Sequence, residues 1–144
     1  MSAFFDSNIL VYAFSTDARR ERALTAIAGG GIISAQVLNE FTNVLRKKQR
    51  QDWPVIEAAV QSIQFRFPGI APLTTDTHAA ALALARDHKL AFYDALIVAA
   101  AIEAGCESLY SEDLQHGRSI GGLTILNPFL EADRPTGENI PPPP

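Results

Sequence analysis

The chain has 144 residues, of which 47% are hydrophobic and 19% are charged. This length predicts one domain with a substantial buried core. The longest uncharged apolar run, residues 95–102, has eight residues, whereas a membrane-spanning helix needs about 20, so we expect no membrane insertion. The net charge of −4 argues against non-specific coating of nucleic acid, although a local basic face is compatible with it.

Two further features bear on the compartment. The first eight residues show no basic segment followed by an apolar one, so no secretory signal is predicted. The single cysteine, Cys106, excludes a disulfide within this chain and a zinc cluster built from cysteines. We therefore expect a protein of the reducing cytoplasm.

Short apolar strands alternate with helices along the first 130 residues. The predicted elements, in chain order, are a strand at 3–5, helices at 9–14 and 18–28, a strand at 32–33, helices at 36–49 and 54–67, an edge or connecting segment at 70–73, helices at 75–89 and 95–104, and strands at 108–110 and 123–126. This alternation predicts an α/β fold, with a central, mainly parallel sheet of four to five short strands flanked by helices.

The carboxyl ends of these strands are where ligands bind in parallel sheets. Asp6 directly follows the first predicted strand, and Asp113 follows the strand at 108–110. Glu40 lies at the border of the apolar face of the helix at 36–49. Asp94 opens the helix at 95–104, which is apolar on every side and is expected to be central and buried. Four acids are thus placed where they could meet in one pocket.

Each of these acids also has a purely structural explanation. Asp6 and Asp94 could cap their helices, Glu40 could pair with Lys47 on the same side of its helix, and Asp113 could be an ordinary loop residue. Together, however, they would repel: two unit charges 4 Å apart repel by about 4 kcal/mol at an effective dielectric constant near 20. A convergent cluster must protonate, spread apart or bind cations. Hard oxygen ligands favour Mg²⁺ or Mn²⁺, and such ions typically assist phosphoryl chemistry.

Four segments of the chain resemble those of a known protein family. The segments that carry the resemblance are DSNILVY from Asp6, NEF around Glu40, FYDALI around Asp94 and SEDL from Ser111. They stand in the order seen in PIN-domain proteins, and the short single-domain form is similar to the VapC toxins of bacterial toxin–antitoxin pairs. The resemblance covers about residues 3–130 and leaves the tail outside it.

The resemblance implies a site and an activity. The catalytic residues, which would also hold one or two Mg²⁺ (or Mn²⁺) ions, would be Asp6, Glu40, Asp94 and Asp113. Asn8 and Ser111 would be polar helpers that orient the carboxylates or the water, with Ser111 standing where the family often has Thr. Members of the family are endoribonucleases that leave a 5′-phosphate and a 3′-hydroxyl. Many form homodimers and are silenced by an antitoxin peptide that enters the acidic site.

Cations and aromatic residues complete the pattern. Candidate RNA-binding residues at the end of the helix at 36–49, where positive charge is also favourable for the helix itself, are Arg46, Lys47, Lys48 and Arg50. A second cluster, expected to be solvated, comprises Arg19, Arg20 and Arg22. Three aromatic residues at roughly helical spacing, expected in the core, are Trp53, Phe65 and Phe67. The sequence shows no clear array of exposed aromatic residues, so sequence-tolerant stacking of bases is not predicted.

The leading hypothesis is a metal-dependent endoribonuclease, the toxin of a toxin–antitoxin pair, which hydrolyses RNA with metal-activated water. Its domain would cover residues 1–130, followed by a proline-rich tail at 131–144 that is expected to be disordered. Its partners would be a cognate antitoxin, RNA, with tRNA among the candidate substrates, and a second copy of the chain. Two alternatives stay open: a phosphatase with an aspartyl nucleophile, although Asn8 stands where a second acid is usual, and a non-catalytic protein-interaction module whose acids are helix caps.

Overall fold

Four short strands form one sheet in the order β1-β2-β4-β3 in the computed structural model of the chain, which describes residues 2–130. The strands are β1 (Ala3–Phe5), β2 (Ser108–Tyr110), β3 (Ser119–Ile120) and β4 (Leu123–Leu126). The pairs β1–β2 and β2–β4 are parallel, and the pair β3–β4 is antiparallel. The predicted tail at 131–144 lies outside the described residues. The prediction of a mainly parallel α/β sheet is confirmed.

Six α-helices within residues 2–130 flank this sheet. They are α1 (Ser7–Ala13), α2 (Arg20–Ile27), α3 (Ala35–Asn43), α4 (Trp53–Arg66), α5 (Thr75–His88) and α6 (Phe92–Glu103). The chain continues from α3 into a π-helical segment, Val44–Lys48. Every predicted helix is present, with ends shifted by a few residues. Between residues 2 and 130, no helix has the length and apolar character needed to cross a membrane.

The strand register aligns the carboxyl ends of the parallel strands. Phe5 pairs with Tyr110, and Tyr110 pairs with Leu126. The backbone N–H of Asp6 then donates to the Tyr110 carbonyl at 2.9 Å, which carries the alignment one residue beyond the strands. Asp6 and Ser111 therefore stand side by side at one edge of the sheet.

One sequence prediction for a strand needs correction. The segment at 32–33 contributes only an isolated parallel bridge, Phe4 to Ile32. The segment at 70–73, predicted as an edge or a connection, contributes the isolated parallel bridge Ser34 to Ala71. The two-residue strand β3 was not predicted, because it has too few residues to show an alternating pattern.

Helix α6 is the centre of the core, as its composition predicted, since its residues from Ala95 to Ala101 are all buried. The expectation that Trp53 and Phe65 are core residues is wrong: they are 52% and 91% exposed. Helix α4 buries only a narrow stripe at Ile56 and Ile63. Phe65 lies two residues beyond Ile63 and therefore points to the opposite side of the helix.

Candidate active site

Asp6 is a buried carboxylate between the end of β1 and the start of α1. Its side chain is 2% exposed. Its Oδ1 accepts a hydrogen bond from the backbone N–H of Ser7 at 2.7 Å, and its Oδ2 accepts one from the Ser111 hydroxyl at 2.7 Å. The structural explanation as a cap therefore holds for Asp6, because it caps α1. The second carboxylate oxygen, however, is held by a residue from the other end of the chain.

Asn8 bridges two of the predicted acids. Its Nδ2 donates to Asp113 Oδ2 at 3.1 Å and lies 3.4 Å from Asp6 Oδ2. Its Oδ1 accepts the backbone N–H of Glu112 at 3.2 Å, and the Ser111 hydroxyl accepts the backbone N–H of Asp113 at 3.2 Å. Asn8 and Ser111 thus orient the loop that carries Asp113 against Asp6.

Glu40 joins this group from the side of α3. Its Oε1 accepts a hydrogen bond from the Ser7 hydroxyl at 3.1 Å, and its Oε2 accepts one from Gln36 Nε2 at 3.3 Å. Ser7 and Gln36 were not selected from the sequence. Their signals were weak, since Ser7 merely adjoins Asp6 and Gln36 precedes Glu40 by one helical turn.

Asp94 does not cap its helix, so the structural explanation for this acid fails. Helix α6 begins at Phe92 with Ala91 as its cap, and Asp94 lies within the first turn. Burial, followed by the negative charge of Asp113, raises the pKa of Asp94. The pKa of Glu40 is also raised, first by burial and then by the charges of Asp94 and Asp113. Asp94 therefore lies close enough to the other acids to feel their charges.

Asp6 experiences the largest effect in this group. Burial raises its pKa from the ordinary value of 3.8 to about 7, against the opposing effect of the hydrogen bonds from Ser111 and Ser7. The charges of Glu40 and Asp113 raise it further. The four acids that the sequence singled out therefore lie close enough for their charges to interact.

The chemistry of this group fits a divalent cation. All of its charged donors are carboxylate oxygens, the ligands that Mg²⁺ and Mn²⁺ prefer. Among residues 2–130, no Lys or Arg side chain forms an ion pair with any of the four acids. Among these residues, no three acidic, histidine or cysteine side chains are already arranged as a set of metal ligands. The Asn8 amide and the Ser111 hydroxyl donate hydrogen bonds to carboxylate oxygens of Asp113 and Asp6.

Glu112, next to Asp113, belongs to a separate network. Its Oε2 lies 2.8 Å from Arg19 Nη1, and its Oε1 accepts the Tyr12 hydroxyl at 2.6 Å. The Arg19 guanidinium also pairs with Asp17 at 3.0 Å and lies over the Tyr12 ring at 4.5 Å from its centre. The expectation that Arg19 is merely solvated is wrong, because it holds the loop beside the candidate site.

The predicted RNA-binding cations lie beyond the end of α3, the helix that carries Glu40. Arg46, Lys47, Lys48 and Arg50 are all exposed on the π-helical segment and the turn after it. The Arg46 guanidinium lies 4.5 Å from the centre of the Trp53 ring and donates to the Gln51 carbonyl at 3.1 Å. These residues form an exposed basic surface on the continuation of the helix that carries Glu40.

The chain is thus a mainly parallel α/β protein with acids at the carboxyl edge of its strands, the edge where ligands bind in such sheets. The family model of the PIN domain matches residues 3–118. The chain therefore belongs to the PIN-domain family. Among curated proteins, none matches the sequence.

Solved structures of toxin–antitoxin systems share the fold. A toxin–antitoxin complex from Klebsiella pneumoniae is 28% identical, with a TM-score of 0.66, covering 88% of this chain and 98% of that one. Mycobacterium tuberculosis VapC20, a sarcin-ricin loop cleaving toxin, is 21% identical, with a TM-score of 0.65 and coverage of 78% and 92%. VapBC2 from Rickettsia felis, bound to a DNA fragment from its promoter, is 17% identical, with a TM-score of 0.64 and coverage of 87% and 97%. The last two similarities concern the fold alone.

Proposed function

We propose that this protein is the toxin of a toxin–antitoxin pair and acts as a metal-dependent endoribonuclease. The observation that carries the proposal is the meeting of four carboxylates from distant parts of the chain, with raised pKa values on Asp6, Glu40 and Asp94. Membership of the PIN-domain family and the similarity to the Klebsiella pneumoniae toxin–antitoxin complex support it. The RNA-cleaving activity named for VapC20 belongs to a protein of the same fold.

One or two Mg²⁺ or Mn²⁺ ions would be held by Asp6, Glu40, Asp94 and Asp113. When bound, such ions supply a water molecule of lowered pKa and stabilise negative charge on a phosphodiester. The neighbouring groups of the chain keep the acids in position. The Ser111 hydroxyl and the Asn8 amide restrain Asp6 and Asp113, and the Ser7 hydroxyl and Gln36 amide restrain Glu40. Such outer partners orient metal ligands and tune their affinity.

The basic surface supplies the complementary charge for a polyanion. Arg46, Lys47, Lys48 and Arg50 would contact RNA phosphates on one side of the acids. A cognate antitoxin would silence the enzyme in the cytoplasm, and a second copy of the chain would complete a homodimer.

Cleavage of purified RNA tests the proposal. The full chain, freed of antitoxin, is incubated with total tRNA and rRNA in Mn²⁺, in Mg²⁺ and in EDTA, and the new ends are mapped. We expect cleavage only with an added ion, and ends that carry a 5′-phosphate and a 3′-hydroxyl. Equal cleavage in EDTA, or a 2′,3′-cyclic phosphate product, would overturn the metal-dependent mechanism. A phosphoryl-enzyme trapped on Asp6 would favour the phosphatase alternative instead.

A further inference from the structure

A cavity adjoins the acids on the side of Glu40. It has a volume of about 460 Å³ and is lined by Gln36, Asn39, Glu40, Asn43 and Tyr93. This volume falls within the range of about 300–1,000 Å³ that is typical of small-ligand pockets. Its residues come from two elements that also carry the acids, since α3 carries Glu40 and Tyr93 directly precedes Asp94 on α6.

The geometry of α3 gathers amide side chains on one wall of this cavity. Gln36, Asn39 and Asn43 are spaced by three and four residues, so they share one helical face with Glu40. Asn39 Nδ2 donates to Gln36 Oε1 at 3.4 Å, and Gln36 Nε2 donates to Glu40. Asn43 is exposed and lines the cavity, and within residues 2–130 its side-chain amide forms no hydrogen bond to another residue.

Tyr93 also lines this cavity, from α6. Its side chain is 64% exposed, although the helix buries every residue from Ala95 to Ala101. The ring forms a T-shaped contact with Phe92, with ring centres 5.9 Å apart, and most of its surface is left accessible. Burying an aromatic side chain is favourable. Tyr93, at the start of this apolar helix, is exposed instead and therefore contributes little to the stability of the core.

We propose that this cavity receives one nucleobase of the RNA, next to the phosphodiester that is cut. Unpaired bases in RNA are recognised by stacking on aromatic side chains and by hydrogen bonds to their edges, and carboxamides pair with base edges through a donor and an acceptor. Tyr93 stacks on the base, and Asn39 and Asn43 read its edge. The inference rests on the proposed nuclease function and makes these three residues determinants of cleavage sequence.

The test uses a pool of single-stranded RNA with a randomised central segment, together with total tRNA and rRNA, in Mn²⁺. Cleavage sites are sequenced for the wild-type chain and for Tyr93→Ala, Tyr93→Phe and Asn43→Ala. Phe65→Ala is the matched control, because it removes an exposed aromatic side chain from α4, outside this cavity. Circular dichroism and thermal melting verify that each variant is folded.

We expect Tyr93→Ala to lower kcat/KM by about tenfold, within the range expected for losing one base stack. The base preference at one position next to the cut should flatten in Tyr93→Ala and Asn43→Ala. Tyr93→Phe, which keeps the ring, and Phe65→Ala should both retain the wild-type preference.

Two results overturn the base pocket while leaving the nuclease intact. One is a wild-type preference profile in both Tyr93→Ala and Asn43→Ala. The other is an unchanged profile combined with weaker capture of the co-expressed antitoxin by Tyr93→Ala, which would assign the cavity to a protein segment. If the wild-type chain cuts none of these RNAs, the nuclease function itself fails and the base pocket fails with it.

Discussion

Glu112 and Asp113 are neighbours in the sequence, yet they belong to two regions with opposite electrostatics. Glu112 pairs with Arg19 at 2.8 Å and accepts the Tyr12 hydroxyl. Asp113 receives the Asn8 amide at 3.1 Å and faces the other acids, whose pKa values its charge raises. The loop thus turns one carboxylate toward a guanidinium and the next toward a cluster of like charge.

This difference shows where the chain balances its own charge and where it does not. The guanidinium of Arg19, the residue directly before α2, neutralises the Glu112 carboxylate. Around Asp113, residues 2–130 place three further acids and no paired cation. Carboxylates of like charge raise one another's pKa values, so a bound cation, as proposed above, would stabilise the second region. Substitutions in the acidic region should therefore have large effects on cleavage and stability, and substitutions around Glu112 should have small ones.

Removing one charge from the acidic region should abolish RNA cleavage. We expect Asp94→Asn to lower kcat/KM by at least about 1,000-fold, because bound metal ions contribute several kcal/mol to stabilising the transition state. Initial rates on the substrate identified by end mapping measure the effect. Asp87→Asn is the matched control, since Asp87 is an exposed carboxylate that pairs with the adjacent Arg86. Similar activity of Asp94→Asn and Asp87→Asn would exclude Asp94 from the catalytic group.

The same acidic region should lower the free energy of unfolding of the metal-free chain at high pH. Because the folded chain raises the pKa of Asp6 to about 7, stability falls as pH rises from about 4 through 7. We expect Asp6→Asn in EDTA to increase the free energy of unfolding at pH 8 by on the order of a few kcal/mol. Urea unfolding measures this gain, which should shrink at pH 4. A destabilisation of equal size at both pH values would contradict a charge effect.

The Ser111 hydroxyl connects the carboxylates to the loop. Ser111→Ala removes its hydrogen bonds to Asp6 and to the backbone of Asp113. We expect the Mn²⁺ concentration for half-maximal cleavage to rise by about 10- to 100-fold, as when other outer partners of metal ligands are lost. Ser111→Thr keeps a hydroxyl and should stay close to the wild type. If both substitutions reduce activity equally, the cause is packing, not the hydroxyl.

The balanced region should give the smallest effect. Arg19→Ala breaks the pair with Glu112, and we expect a loss of about 1 kcal/mol or less in the free energy of unfolding, as for other partly exposed ion pairs. A double-mutant cycle with Glu112→Gln isolates the coupling energy. The coupling should weaken at high salt. Coupling near zero at low salt would show that the pair does not stabilise the loop.

Residues of the site differ in how far the sequence predicted them. Asp6 could be placed because an apolar strand ends directly before it, and Asp94 because the helix after it is continuously apolar. The cap explanation for Asp94 failed because the helix begins earlier, at Phe92. The partners of Glu112 could not be predicted from the sequence, because Arg19 and Tyr12 lie 93 and 100 positions away and no local pattern indicates such pairs.

The order of strands and helices and the chemical nature of the donors were determined by the amino-acid sequence, since hydrophobic periodicity and residue type are local properties. Only the tertiary structure decided that Tyr93 remains exposed beside a buried helix, that the amides of α3 share a cavity with it, and that Glu112 turns away from Asp113. These outcomes depend on the register of β1 with β2 and on how α3 packs near α6. Such long-range contacts are fixed by the packing of the whole domain. A shift of one residue in the register of a strand would turn its buried side chains to the exposed face of the sheet.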